Sequence, residues 1–208
     1  MEFWNSDITE ESWNKLQEMR KSFDFILIGG WAIYLYTKMH KSKDIDIIVD
    51  YDVLRSLSSL GNVQKNDRLH KYEIKSGRFD VDIYLPGYSR LALPAEEIFK
   101  ELNRVVDGFR VPTPEALMVL KLGAAKERLK SIKGEKDAID ILSMLFFSDF
   151  NPALFKKIVE RNKDKEYTRL LLQILRSADR RIIAYLNLNE KTFSGLKKRW
   201  EKELLEIL

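Results

Sequence analysis

An α/β (α+β) fold, a mixed sheet with helices packed on it and a helical subdomain at the C-terminal end, follows from three features of the 208-residue sequence. Residues 23–28, 44–49 and 78–85 are short apolar or alternating runs bounded by turn residues, as strands are. Beyond Thr113-Pro114 the apolar residues recur at helical spacing instead. A hydrophobic content of 45% with 11% aromatic residues supplies a real core for one large domain or a domain with an appended bundle. The boundary is placed between residues 1–112, a sheet-based core, and 113–208, a helical region.

Residues 7–22 open the chain with Trp13, Leu16, Met19 and Phe23 at helical spacing, and Thr9 is the expected N-cap. Residues 23–28 form a buried strand that ends at Gly29-Gly30. A helix over residues 31–38 follows, with its N-terminus at the glycine pair. Exposed amides and the positive end of the helix dipole at that point suit a triphosphate, and glycine lets phosphates approach without a Cβ in the way. Taken alone, a Gly-Gly pair is no more than a strand-to-helix turn.

Asp44-Ile45-Asp46-Ile47-Ile48-Val49 is the next strand. Side chains alternate along a strand, so Asp44 and Asp46 share a face, about 6.6 Å apart at about 3.3 Å per residue. Two carboxylates this close repel unless a cation lies between them, and the simplest cation is a hard divalent ion, Mg²⁺ or Mn²⁺. A third helix begins at Asp50 or Asp52 as cap and stops at Gly61. Residues 71–75 and 78–85 then flank Ser76-Gly77 as a hairpin. Its second arm puts Asp80 and Asp82 on one face and Phe79, Val81 and Ile83 on the other, a pattern that a half-exposed strand also shows.

A short helix over residues 94–102 leads to a strand pair around Asp107-Gly108. Thr113 as cap and Pro114 at the first helical position open a long helix over residues 114–130, on which Lys121, Ala125 and Arg128 share a face with Lys126 nearby. Asp137 and Asp140 lie one turn apart on the next helix. Asn151-Pro152 starts another, and residues 164–207 read as two more.

The arrangement hydrophobic-Gly-Gly, thirteen residues, Asp-Ile-Asp resembles the core motif of the nucleotidyltransferase superfamily, which includes DNA polymerase beta and the tRNA nucleotidyl-adding enzymes. It is more similar still to the small prokaryotic nucleotidyltransferases of the AbiEii and MenA type, known mainly as toxins of toxin–antitoxin pairs. The resemblance covers residues 23–145. It implies a nucleotidyltransferase-type sheet and metal-dependent transfer of a nucleoside monophosphate from a nucleoside triphosphate. It further implies that Asp44, Asp46 and Asp82 are the metal-binding and catalytic carboxylates, Asp44 and Asp46 on the metal that holds the triphosphate and Asp82 completing a second metal site, with Asp80 in reserve for Asp82. Lys41 and Ser42 stand where the family often has an arginine and a threonine, and lysine lacks the two-pronged grip of arginine on phosphate. Lys121 matches a family lysine that contacts the nucleotide, where it would neutralise charge building on the phosphates. The family often has Lys-Asp-x-x-Asp at the position of Asp137 and Asp140, where an aspartate can position a basic residue; a helix-dipole contact and a pairing with a nearby lysine explain both equally well.

Composition narrows the alternatives. With no cysteine, disulfides, thiolate nucleophiles and cysteine zinc sites are excluded, and only His40 and His70 carry imidazoles. No apolar run approaches a membrane span and the start, MEFWNSDITEES, is unlike a signal peptide, so a cytoplasmic protein is expected. The formal charge of +4 is uneven: residues 151–208 hold fourteen Lys/Arg against eight Asp/Glu, a net of +6, leaving about −2 before them. A basic tail beside a carboxylate site suits an enzyme acting on a polyanion such as RNA or a tRNA 3′ end, although charged helices are commonly just solvated faces. A cognate antitoxin is a second expected partner. The rivals are a non-catalytic nucleotide- or RNA-binding module, transfer to a protein or small-molecule hydroxyl, and a glycosyltransferase using Asp-x-Asp.

Overall fold

The computed structural model describes residues 6–126, 132–163 and 166–208. It divides into two units, Met1–Thr113 and Pro114–Leu208. The first is built on a seven-stranded sheet. Its elements run α1 (Ser6–Ser22), β1 (Ile26–Ile28), α2 (Gly29–Thr37), β2 (Ile45–Ile48), α3 (Tyr51–Ser56), a 3₁₀ turn (Leu57–Leu60), β3 (Val63–Asn66), β4 (Lys71–Lys75), β5 (Asp80–Tyr84), α4 (Ala95–Lys100), β6 (Asn103–Val106) and β7 (Phe109–Pro112). The strand order is β3-β4-β5-β2-β1-β7-β6, with β1/β7 and β2/β5 parallel and the other neighbours antiparallel.

Helix α2 is apolar nearly all round, and Trp31, Ala32, Ile33, Leu35 and Thr37 are buried. A helix of that kind is fixed by its surroundings. Trp31 stacks on Trp13 of α1 with ring centroids 4.9 Å apart and donates its indole N–H to Ser12 Oγ at 3.0 Å. Tyr36 donates its hydroxyl to the Pro112 carbonyl at 2.6 Å, which ties the far end of α2 to β7. The N-terminus of α2 at the glycine pair is therefore held from both ends.

The second unit holds α5 (Pro114–Lys126), α6 (Ile132–Phe147), α7 (Pro152–Arg161), α8 (Glu166–Ser177), α9 (Arg180–Tyr185) and α10 (Glu190–Glu206). Its core includes Leu117, Leu122, Ile141, Leu145, Phe155 and Leu171.

Three expectations need correction, and a fourth falls outside the described residues. Thr9 is not the cap of α1 but lies inside it, buried. The strand β3 is an addition, and its exposed Gln64 and Lys65 explain why no apolar signal announces it. Residues 166–206 form three helices rather than two, because Asp179 and Asn189 each break the chain and cap the next helix through their side chains. The remainder of the expected 114–130 helix, Arg128 included, lies outside the described residues. Other local expectations hold: Asp50 caps α3 by accepting from the Val53 amide, Asn151 caps α7, and Asp107 and Gly108 turn between β6 and β7 with φ of 50° and 79°.

Candidate active site

The glycine pair packs directly against the side chains expected to act with it. Gly29 has φ +66°, and a Cβ there would lie 2.2 Å from Asp46 Oδ2. Any other residue at 29 would be strained and would displace the carboxylate. A Cβ at Gly30 would lie 2.6 Å from Ser42 Oγ. Asp46 and Ser42 are thus seated on the turn between β1 and α2. Ser42 is buried, whereas its neighbours Lys41 and Lys43 are exposed.

Register brings in the next acid. In the parallel pair β2/β5, Asp46 faces Asp82 and Ile45 faces Val81. Neighbouring strands lie about 4.8 Å apart, so the two carboxylates rise side by side on one face while the isoleucines and Val81 enter the core. Asp44 precedes β2, and its Oδ1 accepts from the Asp80 amide at 3.0 Å, which holds the start of β5 against the start of β2. The sheet therefore brings together Gly29, Gly30, Ser42, Asp46 and Asp82, with Asp44 and Asp80 one residue pair back.

Two residues absent from the expected set complete this face. In the antiparallel pair β4/β5, Glu73 lies opposite Asp82. Lys71, on the same face of β4, places its ammonium 2.6 Å from Asp82 Oδ2 and 2.9 Å from Glu73 Oε1. Glu73 also accepts from the Asn66 amide side chain at 3.0 Å. Burial pushes the Asp82 carboxyl above its ordinary value, and the Lys71 hydrogen bond opposes this without cancelling it. Burial acts against charge on Lys71 and Glu73 too, but the hydrogen bonds of Lys71 to Asp82 and Glu73 outweigh it and raise the lysine, and those from Lys71 and Asn66 outweigh it and lower the glutamate. The signal that could have found both residues is the hairpin register: pairing Lys75 with Asp80 across the 76–79 turn puts Glu73 opposite Asp82.

The carboxylates can be tested against a divalent cation. Among the described residues, no group of three or more His, Asp or Glu side chains is arranged to hold a metal ion. Two register-paired carboxylates, Asp46 and Asp82, are nonetheless the number that Mg²⁺ takes where phosphate oxygens and water complete its shell, so the donor set fits one such ion.

Lys121 lies in the second unit, where its ammonium sits 3.0 Å from Asp137 Oδ1 and 2.8 Å from Asp140 Oδ2. Both aspartates are buried. Burial opposes the lysine's charge, but Asp140 and Asp137 overcome it and raise its pKa well above the ordinary value. The pairing with a nearby lysine expected for Asp140 is thus present, and Asp137 shares it.

No helix of the described residues is long and apolar enough to cross a membrane. No curated protein matches the chain. Among solved structures, the chain is similar to JHP933 from Helicobacter pylori, with a TM-score of 0.53 and 13% identity over 98% of this chain and 95% of that one, a likeness in fold. An antigenic nucleotidyltransferase-like protein from Paracoccidioides brasiliensis aligns with a TM-score of 0.49 and 16% identity over 89% and 95% of the two chains. Residues 7–181 match the family described as nucleotidyltransferase of unknown function, DUF6036, and span the glycine pair, both aspartate-bearing strands and the Lys121 helix; the chain belongs to that family.

Proposed function

We propose that this nucleotidyltransferase moves a nucleoside monophosphate from a nucleoside triphosphate to a hydroxyl of RNA, with one divalent cation, Mg²⁺ or Mn²⁺, held by Asp46 and Asp82 and supported by Asp44. The observation that carries the reading is the seating of the Asp46 carboxylate on Gly29 and beside Asp82, at the start of α2. A second observation supports it. Helices α3, α7, α9 and α10 have Asp or Asn side chains capping their first turns, whereas α2, with Ile28 at the cap position, and the six-residue α4, with Pro94, have no side-chain hydrogen bond there. A phosphate group would supply that missing acceptor at α2.

In this reading the amides at Gly29 and Gly30 and the Ser42 hydroxyl receive the phosphates, and Lys41 lends exposed positive charge nearby. Bound cation would supply charge neutralisation at the triphosphate. The acceptor oxygen attacks the α-phosphorus in line; the new O–P bond forms as the bond to the β-phosphate oxygen breaks, and pyrophosphate departs. Asp82 accepts or directs the proton leaving the acceptor hydroxyl. Lys121 is engaged by Asp137 and Asp140 within the second unit and is given no part in the transfer in this reading. RNA as acceptor rests on the net +6 of residues 151–208. A tRNA 3′ end and a toxin role with a cognate antitoxin extend the same reading through the AbiEii and MenA resemblance.

The test incubates the protein with each labelled triphosphate, Mg²⁺ and total cellular RNA. Label entering RNA, and lost in Asp46→Asn, is the expected outcome; label on protein or on a small alcohol instead would replace the acceptor. The engagement of Asp82 by Lys71 favours one rival, a nucleotide- or RNA-binding module without transfer. Triphosphate binding with no label in any fraction would establish that rival.

A further inference from the structure

A row of polar side chains crosses three strands and ends on Asp82. Asn66 is paired with Lys71 across β3 and β4, and Glu73 with Asp82 across β4 and β5, so all four stand on one face of the sheet. The Asn66 side-chain amide donates to Glu73 Oε1 at 3.0 Å; the Lys71 ammonium lies 2.9 Å from that same oxygen and 2.6 Å from Asp82 Oδ2. Lys71 and Glu73 keep only 12% and 11% of their side-chain surface, so the row is built in rather than a passing surface pair. Joining strands does not call for it. Charges taken out of water are a costly way to do that, since apolar residues of similar volume serve as well or better. Tyr72 with Ile83 and Ile74 with Val81 already do so on the opposite face. What the row does that apolar pairs cannot is fix a carboxylate.

A free aspartate can turn either oxygen outward, but a charge-assisted bond to Oδ2 removes that choice. Strands β4 and β2 lie on opposite sides of β5, so an Asp82 held through Oδ2 from β4 keeps Oδ1 for the side of β2 and Asp46. We propose that Lys71, aimed by Glu73 and Asn66, is a positioning residue that holds Asp82 by Oδ2 throughout the reaction, leaving Oδ1 as the one oxygen turned to the cation and the acceptor. The proposal rests on the nucleotidyltransferase reading for its effect on transfer, but the engagement of Lys71 is observable without transfer. Lys71 touches no reacting atom. Glu73 and Asn66 act only through it, so their loss matters only while Lys71 is present.

The direct test follows the Lys71 ammonium by heteronuclear NMR of the full chain, where a lysine held in such a bridge gives a signal protected from exchange with water, assigned by its loss in Lys71→Arg. The signal is expected in the wild type and should persist with Mg²⁺ and α,β-methylene-ATP bound. If it disappears as the nucleotide complex forms, or is absent throughout, the proposal is overturned whether or not any variant folds. Transfer gives the second test. Lys71→Met should lower kcat about 10–100-fold, the range found when a group orienting a metal-binding side chain is removed, with little change in the KM for triphosphate. Lys71→Arg should regain most of that loss. Glu73→Gln should lower kcat by less, and should have no effect in the Lys71→Met background; a further loss there overturns the row. A folded Lys71→Met that transfers at the wild-type rate leaves Lys71 a structural tie and overturns the proposal as well. A wild type that keeps the protected signal in its nucleotide complex yet labels no acceptor ends the transfer reading and leaves the hold on Asp82 standing.

Discussion

Two lysines of this chain each lie between a pair of carboxylates, and they differ in what stands around them. Lys121 joins α5 to α6 among buried aspartates, both acids coming from one helix turn. Lys71 joins two strands on a sheet face, and one of its acids, Asp82, is also the register neighbour of Asp46 beside Gly29. The same chemical unit thus serves as a closed tie in the second unit and as the border of a candidate site in the first. A closed tie should cost stability when cut; a border should cost function.

The largest effect should therefore come from Lys121. Lys121→Met leaves Asp137 and Asp140 buried without their cation, and cutting one side of a buried ion group typically costs about 3–5 kcal/mol. That is a large part of a whole domain's stability. Urea unfolding followed by circular dichroism should show a lowered midpoint. The triple variant Lys121→Met, Asp137→Asn, Asp140→Asn should regain much of it, since no buried charge then remains. If the single variant unfolds at the wild-type midpoint, the contrast between the two lysines fails.

Asp46 should show the opposite balance. Asp46→Asn keeps the size of the side chain seated on Gly29, so stability should change little. Nucleotide transfer should drop by about 10²–10³-fold, the scale seen when one preorganised group is removed from developing charge. Gly29→Ala should lose both properties, because its Cβ meets Asp46 Oδ2 in a backbone with φ +66°. The strain of a non-glycine residue held there is worth about 1–3 kcal/mol. Equal stability of Asp46→Asn and Gly29→Ala would show that the turn can relax, and would weaken the claim that the glycine holds the carboxylate.

These contrasts also explain which parts were legible in the sequence. The motif was, because each of its members obeys a local rule: Gly29 and Gly30 serve a turn and a close approach, and Asp44, Ile45, Asp46 and Ile47 follow the two-residue period of a strand. Asp50, Asn151 and the Asp107-Gly108 turn were legible for the same reason. Lys71 was not. In Lys-Tyr-Glu-Ile-Lys it looks like any exposed residue of an alternating strand, and only the pairing of Glu73 with Asp82 turns it inward to a partner. The strand β3 was hidden because its edge position requires no apolar face. The breaks at Asp179 and Asn189 were hidden by leucines and aromatics that keep a helical period on both sides of each cap.

The smallest effect should come from those caps, and it sharpens the contrast with the open start of α2. Asp179 accepts from the amides of Arg181 and Ile182 at the start of α9. The hydrogen bond from Ile182, with help from Arg181, holds its carboxyl below the ordinary carboxylate value. A depressed folded value means that the cap contributes fully above the unfolded pKa and loses its contribution as the pH falls through the folded one. Asp179→Ala should lower stability by about 1 kcal/mol near neutral pH, and the difference from wild type should shrink in acid below about pH 4. Nucleotide transfer should stay at the wild-type rate. The start of α2 behaves differently if Ile28 leaves its cap position for a phosphate: there pyrophosphate, which has no use for the capped helices, should protect the wild-type chain against urea. It should protect Gly29→Ala much less and Asp179→Ala in full. Equal protection of all three would place the anion elsewhere and remove the capping argument for the site.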